Sequence, residues 1–392
     1  MRMVSSFLAL TLAAGAAQDV PVSGGFEYFY NLQYDRAIGE FSRETVERPE
    51  DPSGFNHLAQ AILYRDMFRA GALESELVSG ANAFLRRPKV EASAEDQRRF
   101  DEAIGRAMAL AQARLKTNPA DAPALYALGV SYGLRANYSF LVRKAWRDAL
   151  RDATSARKCH NRVTEIEPEN VDAQLVQGMH DYLVGNLPLH WRMLGFVVGF
   201  RGNKEEGIRR LELVAKKGKT NRLDAEVVLC AVYRRERTPR KAIPLIEDLM
   251  RRFPRNFLLP MELAQMYSDL GDKGKALEPL RRLEEQKRAG VRGLEQLPLE
   301  KIRFAEGNIQ FWYNDLDAAL GNMKAATTAA ENLDLSTGVL AWMRLGQIYD
   351  LRGQRELALE AYRRACAFAP DSDAARESRQ YLSTPYRRRQ KG

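Results

Sequence analysis

The sequence predicts an all-α protein of stacked antiparallel helix pairs, an α-solenoid with insertions in its N-terminal half. Three observations carry that fold class. Helix formers such as Ala, Leu, Arg and Glu dominate a chain of 392 residues that is 45% apolar and 28% charged, and no long Val/Ile/Thr alternation of strand period appears. One register of large and small apolar residues recurs along most of residues 20 to 370. Within that register two small residues stand twelve positions apart, Gly346 with Ala358 and Ala264 with Ala276, as two helices of a close hairpin require.

Taken in order, residues 1–17 come first. "MRMVSSFLALTLAAGAAQDV" places one basic residue, Arg2, before an apolar run from Phe7 to Ala14, and small residues follow it. That order reads as a secretory signal peptide, with the mature chain beginning near Ala17 or Gln18. The expected location is therefore outside the cytosol, in a periplasm or cell envelope. No Cys follows the apolar run, so a lipoprotein attachment site is not expected.

Residues 18–220 form an elaborated helical region. Tyr28, Tyr34, Ala37, Phe41 and Pro49 fit the recurring register, as do Leu125, Leu128, Gly129 and Tyr132. The small-residue gap widens here, to 48 between Ala59 and Ala107, 27 between Gly129 and Ala156, and 29 between Gly178 and Gly207. We read each excess as an insertion between the two helices of a pair. One of them, "LPLHWRMLGFVVGF", is expected to be a short helix against the solenoid with Trp191, Leu194 and Phe196 or Val197 facing inward. Its longest charge-free run after Arg192 is eight residues, where a membrane span needs about 20. A binding or membrane-surface role for this insertion is the competing reading. Asn203 with Glu206 three later reads as a helix cap, and Gly218 as the helix end.

Residues 221–383 are the regular part. In "AWMRLGQIYDLRGQRELALEAYRRACAFAP", Trp342, Leu345, Gly346, Tyr349, Gly353, Ala358, Tyr362, Ala365 and Pro370 stand at offsets 0, 3, 4, 7, 11, 16, 20, 23 and 28. Spacings of three and four put the large residues on one helical face, Gly353 supplies the turn, and Pro370 helps to stop the second helix. Leu263, Ala264, Tyr267, Gly271, Ala276, Leu280 and Leu283 repeat the pattern, as do Leu229, Cys230, Tyr233, Ala242, Ile246 and Pro254, and more weakly Gly307, Ala319, Met323 and Ala326. This pattern resembles the tetratricopeptide repeat (TPR) family. The stretch "GFRGNKEEGIRRL" is also similar, over a short span, to a eukaryotic TPR family linked to inclusion-body clearance; a signal-peptide-like start departs from a cytosolic protein, and no function is carried over from it. Residues 384–392 form a basic tail, expected to be disordered.

No constellation of catalytic residues emerges. "GVSYG" at 129–133 matches a nucleophile elbow, but it lies in an Ala/Leu helical register where the elbow needs a strand and a strained turn. "GKT" at 218–220 lacks the P-loop's earlier glycine, since position 213 is Leu. Cys159 and His160 are adjacent and would point about 100° apart on a helix. His57, His180 and His190 show no metal-ligand spacing. Three cysteines, Cys159, Cys230 and Cys366, give no disulfide framework and read as small packing residues. The net charge of +9 is spread over Arg pairs with acidic neighbours, which read as solvated faces. An anionic cell-envelope surface suits that charge better than nucleic acid, for which no recognition motif is present.

The expected function is a non-enzymatic scaffold or adaptor that binds a protein or peptide. The alternative is a periplasmic carrier of a small apolar ligand or lipid. No catalytic residue, metal or cofactor is assigned. The resemblance implies a concave surface made by the first helices, whose inner positions here are Tyr126, Met179, Met261, Gln265, Phe304, Asn308, Met343 and Gln347. No Lys stands among them, so an apolar groove with amide donors is expected in place of a clamp for a terminal carboxylate.

Overall fold

A computed structural model describes residues 24–73, 89–186 and 202–388. The signal-like residues 1–17 and the 187–200 insertion, with Trp191, Leu194, Phe196 and Val197, lie outside the described residues. Among the described residues there are seventeen α-helices and no strand. They fall into eight consecutive pairs and a final single helix. The pairs are α1 (Gly24–Tyr30) with α2 (Tyr34–Glu47), α3 (Pro52–Arg69) with α4 (Ala94–Thr117), α5 (Ala122–Leu141) with α6 (Trp146–Ile166), and α7 (Gln174–Gly185) with α8 (Lys204–Lys217). The regular half continues with α9 (Arg222–Arg235) and α10 (Pro239–Arg252), α11 (Leu258–Asp269) and α12 (Lys273–Arg288), α13 (Leu299–Trp312) and α14 (Leu316–Thr328), and α15 (Leu335–Leu351) and α16 (Arg355–Phe368). α17 (Asp373–Ser383) closes the stack. None of these helices is long and apolar enough to cross a membrane.

Local chemistry sets the starts of many helices. Asp51, Ser93, Asp121, Asn203, Asp272, Asp315, Asp334 and Ser372 each accept a backbone N–H of the first turn through the side chain. Each such cap is worth about 1 kcal/mol. The Asn203 cap bonds Glu206 at 2.9 Å, where the sequence placed it.

The turn inside most pairs depends on one residue with left-handed backbone. Gly271 (φ 86°) and Gly353 (φ 71°) fill it in two repeats. Leu32, Lys144, Arg237 and Asn314 hold the same conformation without being glycine, at φ between 55° and 62°. Such residues cost about 1–2 kcal/mol relative to glycine, and packing of the flanking helices sustains them.

Small residues let the paired helices approach. Ala59, Ala107, Ala156, Ala242, Ala276, Ala319 and Ala358 are fully buried. The closest approach joins α7 and α8. A Cβ at Gly207 would sit 2.5 Å from the Tyr182 nitrogen and 2.7 Å from the Gly178 carbonyl oxygen. The twelve-residue spacing does not hold in α5 and α6, where Gly129 and Ala156 stand 27 apart. These helices run 20 and 21 residues and are joined directly through residues 142–145. The added residues lengthen both helices and make no separate insertion; α-helix grows by whole turns of 3.6 residues, so a long hairpin absorbs them without a loop.

First helices of successive pairs pack on one another, α11 on α13, α13 on α15 and α15 on α17, and this puts them on the inner side of the curve. The N-terminal helices fold into that inner side. Phe29, Tyr30 and Tyr34 share one buried cluster with Leu223, Phe253, Phe257, Leu280 and Ile302. Polar contacts fix the join: the Tyr30 hydroxyl donates to Asp224 (2.7 Å), Asn256 Nδ2 donates to the Tyr30 carbonyl (2.8 Å), and the Arg255 amide donates to Asn31 Oδ1 (3.0 Å). Phe68 meets Phe257 at 5.8 Å between ring centres. The solenoid therefore closes on its own middle.

Candidate functional site: a groove filled by the chain's own tail

Toward the C-terminal end the chain's own tail lies on the inner side. After α17, residues 384–388 turn back across the ends of α13 and α15. Tyr386 and Arg388 point in while Arg387 and Pro385 are exposed, the two-residue alternation of an extended strand. The Tyr386 amide donates to Asp350 Oδ2 at 2.7 Å. Its ring packs near Phe311 and edge-on to Tyr381, with centroids 6.1 and 5.4 Å away. Arg388 donates to the Phe311 carbonyl, and its guanidinium lies 4.8 Å from the centre of the Phe311 ring. A carbonyl near a helix C-terminus carries partial negative charge and suits a guanidinium there. Residues 389–392 lie outside the described residues.

Two side chains organise this groove. Asp350, with a side chain 1% exposed, accepts from Arg355 (2.8 Å), the Tyr362 hydroxyl (2.9 Å) and the tail amide. Burial, then the Asp350 hydrogen bond, pushes the Tyr362 hydroxyl far above its usual range, so it stays a donor. Arg355 also caps the end of α17 through the Tyr381 and Leu382 carbonyls. Arg344 is buried over Phe311 and Trp312, 4.2 and 4.8 Å from the ring centres, and donates to Asn308 (3.0 Å) and Gln347 (2.6 Å). Trp312 is 57% exposed at the mouth.

The eight inner positions read from the sequence separate into three sets. Phe304, Asn308, Met343 and Gln347 come together in α13 and α15, but they are buried: Phe304 and Met343 in the apolar core, Asn308 and Gln347 as acceptors for Arg344. Met261 packs against the cluster that holds the N-terminal helices, and Gln265 is engaged with Asp269 at 2.8 Å. Tyr126 and Met179 belong to other packing layers; the Tyr126 hydroxyl accepts from Asn221 at 2.6 Å. The residues that hold the tail, Phe311, Asp350 and Tyr381, were not read from the sequence. Asp350 follows Tyr349 directly, and only its place at the end of a first helix could have signalled it.

The enzyme-like motifs are packing. Ser131 of "GVSYG" is buried in α5, and its hydroxyl donates to Asn56 Oδ1 (2.7 Å), with the Ala127 carbonyl 3.0 Å away. The three cysteines are free and partly buried, and burial pushes the Cys159 thiol up to about 11. No group of ligands able to hold a metal occurs among the described residues. His160 lies buried against Gly129 and Tyr126, and burial pulls its imidazole down to about 4. A folded pKa below the unfolded 6.5 means that this contribution is present above pH 6.5 and lost as pH falls toward 4, by about 3 kcal/mol at most. Melting of the parent should therefore drop between pH 7 and pH 4.5 by more than that of His160→Leu. An equal drop in both would remove His160 from the account.

Comparison with known proteins agrees with the helix-pair geometry of the regular half. Residues 305–373 match the tetratricopeptide repeat family. These repeats span the end of α13 through α16, the walls of the groove. No curated protein matches the chain. Among solved structures, the chain is similar to yeast Tom70, with 13% identity, 92% of this chain and 93% of that chain covered, and a TM-score of 0.42. It is also similar to the human IFIT1 dimer with m7Gppp-AAAA, with 13% identity, 93% and 81% covered, and a TM-score of 0.46. The Cut9–Hcn1 hetero-tetramer of the APC/C is a third, at 12% identity, 91% and 74% covered, and a TM-score of 0.39.

Proposed function

We propose that this protein is a non-enzymatic, exported scaffold whose last tetratricopeptide repeats bind an extended protein segment. One observation carries the reading: the groove of α13 and α15 already holds an extended piece of chain, residues 384–388, by one backbone hydrogen bond, one packed aromatic ring and one arginine. A partner segment with an aromatic residue two positions before an arginine would find the same contacts. The tail competes with it at an effective concentration on the order of 1 mM, as a short tether gives. The export part rests on the order of residues in 1–17. The carrier alternative puts its pocket under residues 187–200, outside the described residues, and is not advanced.

The test uses a chain ended after Ser383 and a fluorescent peptide of residues 383–392. Anisotropy should show saturable binding to the shortened chain and binding at least about tenfold weaker to the intact chain. Absence of binding to the shortened, folded chain would sink the groove reading. For export, N-terminal sequencing of protein from its native host should begin at Ala17 or Gln18. An intact Met1 on soluble cytosolic protein would overturn that part alone.

A further inference from the structure

The N-terminal helices and the middle of the solenoid border a half-open cleft of about 540 Å³. Its walls come from α2, α3, the turn at 255–257 and the connection at 292–296. Five guanidiniums line it: Arg36, Arg65, Arg69, Arg255 and Arg292. Only two carboxylates share the lining, Asp35 and Glu295, and both are engaged. Asp35 accepts from Arg65 at 2.7 Å, and Glu295 accepts the Gly293 amide at 2.9 Å. Behind the wall Asp96 pairs with Arg65 and Arg69, while burial and the neighbouring Asp96 push the Asp66 carboxyl up to about 7, so that it adds less than a full negative charge. Arg36, Arg255 and Arg292 form no ion pair among the described residues.

Arg255 is held in place. Gly293 has φ 99°, and a Cβ there would lie 2.6 to 3.0 Å from the Arg255 Cβ, Cγ and Cδ atoms. Glycine at 293 is what lets the Arg255 stem lie flat across the connection, and Gln33 Oε1 accepts from its guanidinium at 3.2 Å. A cleft with an excess of one sign of charge focuses its field more than a flat surface does. Guanidinium forks match the oxygens of phosphate and carboxylate groups. Three unpaired guanidiniums arriving from three segments of chain call for several charges in a small volume, which a chain of two or three phosphates provides.

We infer that this cleft is a binding site for a phosphate-rich multivalent oxyanion, either free or as the headgroup of an anionic lipid. The site bridges α2 to the 255–296 region, so its occupant strengthens the closure. This inference is independent of the groove at the C-terminal end.

The test titrates the full chain with inorganic tripolyphosphate by calorimetry, and with vesicles containing cardiolipin, whose headgroup carries two phosphates, by flotation. The parent should bind tripolyphosphate saturably and melt higher with it. Arg255→Gln/Arg292→Gln should bind at least about tenfold more weakly, since each lost charge-assisted contact is worth about that factor. Arg36→Gln/Arg292→Gln, which changes two exposed residues, serves if the first variant does not fold. Vesicle flotation that these changes abolish assigns the headgroup source, and tripolyphosphate binding without flotation assigns the free one; both support the site. Equal binding by parent and folded variants, or no saturable binding of either probe, overturns it. Tighter binding of hexaglutamate than of tripolyphosphate overturns the phosphate assignment.

Discussion

Asp350→Ala is expected to destabilise the C-terminal repeats by about 3–5 kcal/mol, the cost of leaving a buried charge without its partner. Three donors converge on this carboxylate: the Arg355 guanidinium, the Tyr362 hydroxyl and the Tyr386 amide. Alanine strands the first two in a nearly dry site and removes the backbone anchor of the tail. Asp350→Asn keeps the shape and one acceptor oxygen, so it should fall between parent and alanine. Denaturant unfolding measures the loss, and limited proteolysis after Tyr386 measures the release of the tail. A variant that unfolds at the parent's midpoint with a protected tail would show that Asp350 is not the anchor described.

Gly207→Val should cost about 3 kcal/mol or more, at the high end for overpacking. The atoms that a side chain would meet at 207 belong to the backbone of α7, the Tyr182 nitrogen and Cα and the Gly178 carbonyl, so no rotamer change makes room. The α7–α8 pair must separate or slide. Gly178→Ala is the graded comparison: its added Cβ would meet Arg210 Cβ, the Gly207 carbonyl oxygen and Leu211 Cγ at 3.1 to 3.2 Å, a milder overlap than at 207, and should cost less. Thermal melting of the two variants side by side should rank Gly207→Val well below Gly178→Ala. Equal melting of both would mean that the helices tolerate a wider crossing.

Much of the fold was legible because close helix pairing leaves a trace in sequence. Gly178 and Gly207, read as partners across a gap of 29, do face each other. The turns were legible only where glycine fills them, at 271 and 353; Leu32, Lys144, Arg237 and Asn314 adopt the same backbone with no residue type to announce it. The excess between Gly129 and Ala156 was visible as a number but not as a form, since helix extension and insertion add residues alike. The inward fold of α1 was not legible. A face packed on the next helix and one packed on a helix 200 residues away carry the same apolar spacing. At the groove, Asn308 and Gln347 stood at inner positions as read, yet their amides hold Arg344. The tail looked like a solvated basic end because two inward residues, Tyr386 and Arg388, are too few to make a period.

The join between Tyr30 and the 224–256 region changes how this chain must fold. An open repeat array grows by contacts between neighbours, so any piece of it can form first. Here hydrogen bonds span 194 residues at Tyr30–Asp224 and 226 at Tyr30–Asn256, which raises the contact order above that of a plain helical stack. During synthesis at about 5–20 residues per second, the aromatic faces of Phe29, Tyr30 and Tyr34 wait about 10–45 seconds for their partners to emerge. In that interval they are adhesive surfaces, and a chaperone that shields them would set the yield of folded protein.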